Sequence, residues 1–260
     1  MPGRQGLKER VRRFWNDSPC GMKDVRDREE GSEEFFRALE RNRYGRDGFV
    51  PQMVQFQRYS GRAVLEVGCG LGTDFIQFAR AGAKGFAMDL SERSLALAAN
   101  RLRTEGLSGF LSQGDAERVP FKDGTFDLVY SWGVLHHTPD TAAAARELVR
   151  VCKPGGEILV MLYHLRSLVA AQVWLRYGLL EGKPFSSPRR LIADHVESPG
   201  TKAFSIREAL GLFSGVKELH AQAVVTRYDL RISRRRFLPF FLHRLIPARF
   251  GWFLVIRGKK

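Results

Sequence analysis

Apolar and polar positions alternate in blocks through the middle of this chain. Ala63–Val67 is a short apolar run with one charge, Glu66, and reads as a buried strand. Gly68, Gly70 and Gly72 follow at alternate positions, and a helix from Phe75 closes at Gly82. Residues 85–89 predict a second strand ending in an acid, Asp89. Ser91 then N-caps a helix that stops near Gly106. Residues 109–113, 126–131 and 157–163 predict three further strands. Between the last two, Thr138-Pro139 opens an alanine-rich helix with Pro at its first position, and Lys153-Pro154-Gly155-Gly156 breaks it. Strands alternating with helices make βαβ units, hence a parallel sheet of the doubly wound α/β class.

The flanks are patterned differently. Residues 1–30 are polar and charged around a turn-rich island, Trp15-Asn16-Asp17-Ser18-Pro19-Cys20-Gly21, a candidate lid. Residues 31–57 are largely helical, with apolar stripes at Phe35, Phe36 and Leu39 and at Val50, Met53, Val54 and Phe56. Beyond His164 the alternation stops: 168–180 predicts a helix, and a Pro- and Ser-containing run to Gly200 predicts a loop or lid. Ser205 caps a short helix (206–213), and 216–225 and 252–256 predict two closing strands around a basic, Phe-rich stretch. The expected divisions are a cap (1–60), a cofactor-binding core (61–163), an acceptor-pocket insertion (164–204) and a closing segment (205–260).

Composition narrows the class. The 260 residues are 44% hydrophobic and 27% charged, ordinary for a globular protein. No apolar run reaches the roughly 18 residues of a transmembrane helix, and the charged N-terminus has no signal-peptide core. Cys20, Cys69 and Cys152 are too few and scattered for a disulfide framework or a C-x-x-C metal site, so a cytoplasmic protein is expected. The net charge of +14 is uneven. Residues 226–260 carry ten Lys/Arg against one acid, Asp229, whereas the first 60 positions carry only +3.

Strand, glycine turn and helix together make a nucleotide cradle, because glycines permit unusual φ/ψ and close approach to a ligand. The third glycine of a dinucleotide fingerprint would fall at Thr73, and no Gly-Lys-Ser/Thr follows for a P-loop. Glu66 ahead of the turn favours S-adenosylmethionine. Asp89, at the end of the second strand, can accept both ribose hydroxyls, as NAD would also require.

Glu66, Gly68, Gly70 and Gly72 resemble motif I of the class I methyltransferases. Gly114-Asp115-Ala116-Glu117, the 126–137 segment and Val149-Arg150-Val151-Cys152-Lys153-Pro154-Gly155-Gly156 resemble their later motifs, in order. The resemblance covers about 61–163 and is best to the small-molecule group that includes the ubiquinone and menaquinone C-methyltransferases. It implies a Rossmann-like, mostly parallel seven-stranded sheet with an antiparallel closing edge. It further implies S-adenosylmethionine held by Glu66, Gly68, Cys69, Gly70, Gly72, Asp89, Leu90, Asp115, Ala116 and Ser131. The methyl group would pass by in-line displacement to a small-molecule or lipid-like acceptor.

His136, five positions past Ser131, is the candidate base, with His137 second; Leu-His-His also fits a structural role. Tyr44 and Tyr163 are pocket or core candidates. Arg43-Tyr44 would meet the cofactor's carboxylate or form a solvated helix face. No metal is expected. Ser131-Trp132-Gly133-Val134 stands where amino-methylating enzymes of bases or glutamine carry Asn/Asp-Pro-Pro-aromatic, disfavouring that chemistry. Arginines and phenylalanines over 231–250 suit either a peripheral contact with anionic membrane or phenylalanines packed on the sheet edge beneath solvated arginines, and a nucleic-acid partner is disfavoured. A non-catalytic module docking on membrane or RNA and a nicotinamide oxidoreductase stay open as alternatives.

Overall fold

The computed structural model describes residues 3–232 and 236–260. Strands β1 (Ala63–Val67), β2 (Lys84–Asp89), β3 (Phe110–Gln113), β4 (Phe126–Trp132), β5 (Cys152–Tyr163), β6 (Lys217–Val224) and β7 (Phe253–Lys259) form one sheet. Their order is β3-β2-β1-β4-β5-β7-β6. The first five pair in parallel, and β7 runs antiparallel to both of its neighbours. The last strand is therefore inserted between the fifth and sixth. Its burial explains this: Phe253, Leu254, Val255 and Ile256 are all buried, as a strand covered on both faces requires. β6 mixes exposed and half-buried positions along its length and takes the edge.

Both faces of the sheet are covered. Leu65, Val129 and Ile158 join one apolar cluster while their neighbours Val64, Leu128 and Leu159 join another, the period of two expected of strands. Chain order reverses beside β1, which pairs with β2 on one side and β4 on the other. That opens a crevice at the carboxyl ends of the two strands.

The helices are α1 (Arg4–Asp17), α2 (Glu33–Arg46), α3 (Phe49–Val54), α4 (Thr73–Arg80), α5 (Glu92–Thr104), α6 (Thr141–Val151), α7 (Leu168–Trp174), α8 (Pro188–His195) and α9 (Ile206–Gly211). Three differ from the sequence expectation. α1 continues through Trp15 and Asn16, so the N-terminal turn begins only at Ser18. α6 starts at Thr141, because the Asp140 carboxylate accepts from the Ala143 amide and caps it there; Leu135–His137 forms a separate 3-10 turn. α8 lies inside the stretch expected as loop. Ser187 caps it, Pro188 sits in its first turn, and Leu191 and Ile192 bury its inner face. The Lys153–Gly156 stretch (153–156) ends α6 yet belongs to β5, whose pairing with β4 shifts register between Phe126 and Leu128. Of the basic run expected to meet a membrane, Arg234 and Arg235 lie outside the described residues.

Candidate cofactor and acceptor site

The glycine turn leaves β1 with its amides folded back on β2. Gly68 and Cys69 both donate to the Met88 carbonyl, at 2.7 and 3.1 Å. Asp89 braces the turn from the next strand: one carboxylate oxygen accepts from the Gly70 amide and the other from Ser91, both at 2.8 Å. Burial pushes the Asp89 carboxyl above its usual range, against the opposing pull of these amides.

The three glycines do different work. All have positive φ, at 79°, 51° and 75°. A Cβ on Gly68 would lie 2.2 Å from Val134 Cγ2, so this glycine lets the loop after β4 close on the turn. A Cβ on Gly72 would lie 3.0 Å from the Ala98 Cβ, which makes Gly72 the contact between α4 and α5. A Cβ on Gly70 would meet nothing within 4 Å, because Gly70 borders the cavity. Gly68→Ala should therefore cost about 2–4 kcal/mol from the left-handed backbone plus the collision, lowering Tm markedly in a thermal melt. Gly70→Ala should cost only about 1–2 kcal/mol while obstructing the ligand. Equal melts for the two variants would contradict this division.

A cavity of about 240 Å³ lies at the carboxyl ends of β1, β2 and β4. Eight of the expected cofactor residues line it: Glu66, Gly68, Cys69, Gly70, Asp89, Leu90, Asp115 and Ala116. Gly72 and Ser131 do not. Ser131 is fully buried and donates to the Val67 carbonyl at 2.9 Å, tying β4 to β1. Asp115 accepts from the Glu117 amide at 2.9 Å and pairs with Lys8 of α1, which also pairs with Glu117 at 2.7 Å. Lys8, Val11 and Trp15 thus bring α1 onto the cavity wall.

Arg43 and Tyr44 are not a solvated helix face. Arg43 bridges Asp47 at 2.6 Å and Asp74 at 2.9 Å. Tyr44 and Tyr130 donate to Asp74 at 2.9 and 2.7 Å. Glu66 stands on the same wall, and its Oε2 is buried without a hydrogen-bond partner among the described residues. Burial and the neighbouring Asp74 carboxylate hold Glu66 well above the usual carboxylate range.

The candidate base moves. His136 is fully buried, does not line the cavity, and packs its ring at a tilt against Tyr163, with ring centroids 3.8 Å apart. Both of its ring nitrogens lack a partner among the described residues, and burial holds its pKa well below the usual histidine value. A neighbour, His137, reaches the cavity wall instead. Its Nδ1 lies 2.8 Å from the Ser198 hydroxyl and 3.0 Å from that of Thr201, and its Nε2 lies 3.2 Å from Glu197 Oε2. Glu197 also accepts from the Tyr163 hydroxyl at 2.8 Å. Desolvation opposes ionisation of Glu197, but the adjacent His137 ring and the bond from Tyr163 prevail and lower its pKa. Its backbone sits at φ 51°, an uncommon conformation for a non-glycine residue. Sequence reasoning missed Glu197 because no motif marks it; it follows α8, read as loop, and only folding brings it to His137. Donor atoms of His136, His137 and Glu197 come within 4.8 Å of one another, close enough for a divalent cation to gather, although the bonding just described needs none.

Residues 65–160 match the family described as a methyltransferase domain. Demethylmenaquinone methyltransferase of Thermobifida fusca is 33% identical over 149 residues, 57% of this chain and 62% of that protein. Ubiquinone biosynthesis O-methyltransferase of Methylococcus capsulatus is 34% identical over 124 residues, 45% and 52% of the two chains. Norajmaline N-methyltransferase of Rauvolfia serpentina is 34% identical over 108 residues, 40% and 37%. This chain thus spans less than two thirds of each of these relatives. Among solved structures, an S-adenosylmethionine-dependent methyltransferase of Thermotoga maritima superposes with a TM-score of 0.53 at 21% identity, over 85% of this chain and 97% of its own. A Pyrococcus horikoshii protein superposes at 0.58 and 18% identity, over 88% and 92%. The nicotinamide and non-catalytic readings find no support in these matches. Residues 65–160 of this chain thus match a methyltransferase domain, on a fold shared with an S-adenosylmethionine-dependent methyltransferase.

Proposed function

We propose that the protein transfers a methyl group from S-adenosylmethionine to a small, lipid-like acceptor. The observation that carries the cofactor assignment is Glu66: a buried carboxyl with one unpartnered oxygen, on the wall beside the glycine turn. A cationic ligand would supply the partner that this oxygen lacks. When bound, the cofactor supplies a sulfonium-activated methyl group. Asp89 keeps lone pairs free for ribose hydroxyls while bracing the turn, and Asp115 with the Ala116 amide suits the adenine ring. Trp132, Tyr163, Tyr228 and Phe253 line the far end of the cavity and would hold the acceptor. Alignment of acceptor and methyl can supply roughly 7–11 kcal/mol of the barrier. Glu197 Oε would take the proton of a phenol, alcohol or ammonium, with His137 and Tyr163 fixing that carboxylate. α1 would act as the lid that excludes water, latched by Lys8 to Asp115 and by the Ser91 hydroxyl, which donates to Asn16 at 2.7 Å.

The aromatic far wall and the quinone named for two relatives favour an apolar acceptor, met at a membrane surface by a cytoplasmic protein through residues 231–250. No helix among the described residues is long and apolar enough to cross a membrane.

Calorimetry should show S-adenosylmethionine binding and no NAD binding, and methyl-labelled cofactor in a cell extract should mark one metabolite. Binding of NAD alone would overturn the reading. The raised Glu66 pKa adds a pH signature. Below its folded pKa Glu66 holds a proton that a cation displaces, so affinity should rise with pH above the ordinary carboxylate range and level off past that pKa. Protons should be released on binding, read from enthalpies in two buffers, and Glu66→Gln should abolish the release. At Glu66 the ligand-free fold shows the opposite trend: this carboxyl holds its proton to higher pH than it does in the unfolded chain. Glu66 therefore makes stability fall as pH rises from the ordinary carboxylate range through its folded pKa, a slope that Glu66→Gln should flatten.

A further inference from the structure

Two groups of large apolar side chains stand in solvent. One follows α7, where a π-helical turn (Leu175–Leu179) leads into a loop: Leu180 is 74% exposed and Phe185 fully so. The other lies in the tail, where Ile232, Phe241 and Leu245 are 65%, 66% and 79% exposed. The two groups sit on connected elements. α7 packs against the turn Arg227–Leu230, and the Gln172 side-chain amide donates to the Asp229 carbonyl at 3.0 Å. That turn in turn packs against Phe240–Leu245, and the Leu238 amide donates to the Leu230 carbonyl at 2.8 Å. Tyr228, in the connecting turn, lines the far end of the cavity. The exposed apolar groups therefore flank the acceptor end of the site.

The charge around them is one-sided. Arg176, Arg227, Arg236, Arg244 and Arg249 are exposed on these segments. From 226 to 260 the only acid is Asp229, which is buried and spends its carboxylate on Thr226 and the Trp252 amide. From 164 to 190 the only acid is Glu181, paired with Lys183 at 3.2 Å. Arg249 lies over the Phe250 ring at 4.9 Å and Arg176 over Tyr177 at 5.2 Å, so cation and apolar surface are interleaved. A soluble partner protein or a second copy could cover apolar side chains, but a cationic rim whose one exposed acid, Glu181, is already paired complements a negatively charged surface.

We infer that these two segments form one docking surface for anionic lipid, which sets the acceptor end of the cavity against the bilayer interface. The inference rests on the lipid-like acceptor proposed above. It extends the contact beyond 231–250 to the insertion after α7. Apolar side chains would enter the headgroup–acyl boundary while the arginines stay among phosphates. Each arginine so placed strengthens binding about fivefold.

Co-sedimentation of the full chain, without cofactor, tests this on vesicles of phosphatidylcholine alone and of phosphatidylcholine with phosphatidylglycerol. Binding should be at least about tenfold stronger to the anionic vesicles and should weaken with salt. The double variants Leu180→Asp with Phe185→Asp, and Phe241→Asp with Leu245→Asp, should each lower it about tenfold or more. All four side chains are exposed, so circular dichroism should match wild type; should either variant misfold, Arg244→Glu with Arg249→Glu replaces it with the same expectation. Equal pelleting with both vesicles, or unchanged binding in both apolar variants, overturns the inference. So does a wild-type dimer that the variants convert to monomer with no vesicle binding, or loss of RNA binding in the variants with none to vesicles. Cofactor calorimetry on the same samples separates this result from the proposed activity: vesicle binding needs no cofactor, so the failure of one is told apart from the failure of the other.

Discussion

Glu197→Gln is expected to lower kcat by roughly 10²–10⁴ for an acceptor that must lose a proton, with S-adenosylmethionine affinity unchanged. The amide keeps the shape of the side chain but cannot take the proton. Both residues line the cavity, but the Glu197 side chain is 42% exposed, against 5% for His137. His137 is therefore assigned a positioning role, and His137→Ala should produce a smaller loss with a displaced pH–rate profile, since removing the imidazole beside Glu197 lets the carboxyl pKa rise. His136→Leu should leave kcat within a few-fold, because His136 is walled off from the cavity and its ring nitrogens hold no partner that leucine would orphan. Single-turnover rates with the identified acceptor check all three. If His136→Leu abolished methyl transfer while Glu197→Gln did not, the proton would have to leave by another route.

Asp89→Ala is expected to weaken S-adenosylmethionine binding by about 1.5–3 kcal/mol, roughly tenfold to 150-fold, by calorimetry. Two losses combine in that figure. Ribose hydroxyls lose a charged acceptor, and the amides of Gly70 and Ser91 lose theirs, which frees the turn to drift. Asp89→Asn separates the two: it keeps an oxygen for one amide and should fall between wild type and alanine. A variant with native affinity would show that Asp89 serves only the end of β2. The Gly70→Ala variant gives a second check, since it should lose affinity by obstructing the cavity while the Asp89 carboxylate is retained.

The five parallel strands were legible along the chain because each writes its own pattern locally. A buried parallel strand is a short apolar run, and Gly68, Gly70 and Gly72 mark a turn that takes left-handed φ at three alternate positions. The gathering of Glu66, Gly68, Gly70 and Asp89 on one cavity wall was legible for the same reason: they sit at strand ends, where chain order alone places them. What folding decided is everything that depends on which distant segments meet. The insertion of β7 beside β5 follows from burial on both faces, which a run of apolar residues does not distinguish from an edge. Ser131 and Gly72 carry the residue types of a binding site but are spent on Val67 and Ala98, since a hydroxyl or a missing Cβ serves packing as well as ligand. His136 and His137 are adjacent in sequence, yet the 3-10 turn sends one into the core against Tyr163 and the other to the cavity. Glu197, sixty residues from His137, becomes its partner only because α8 and the turn after it carry the carboxylate back across β5. Adjacent residues share a local pattern, but the direction of a side chain and the identity of its partner are properties of the packed molecule.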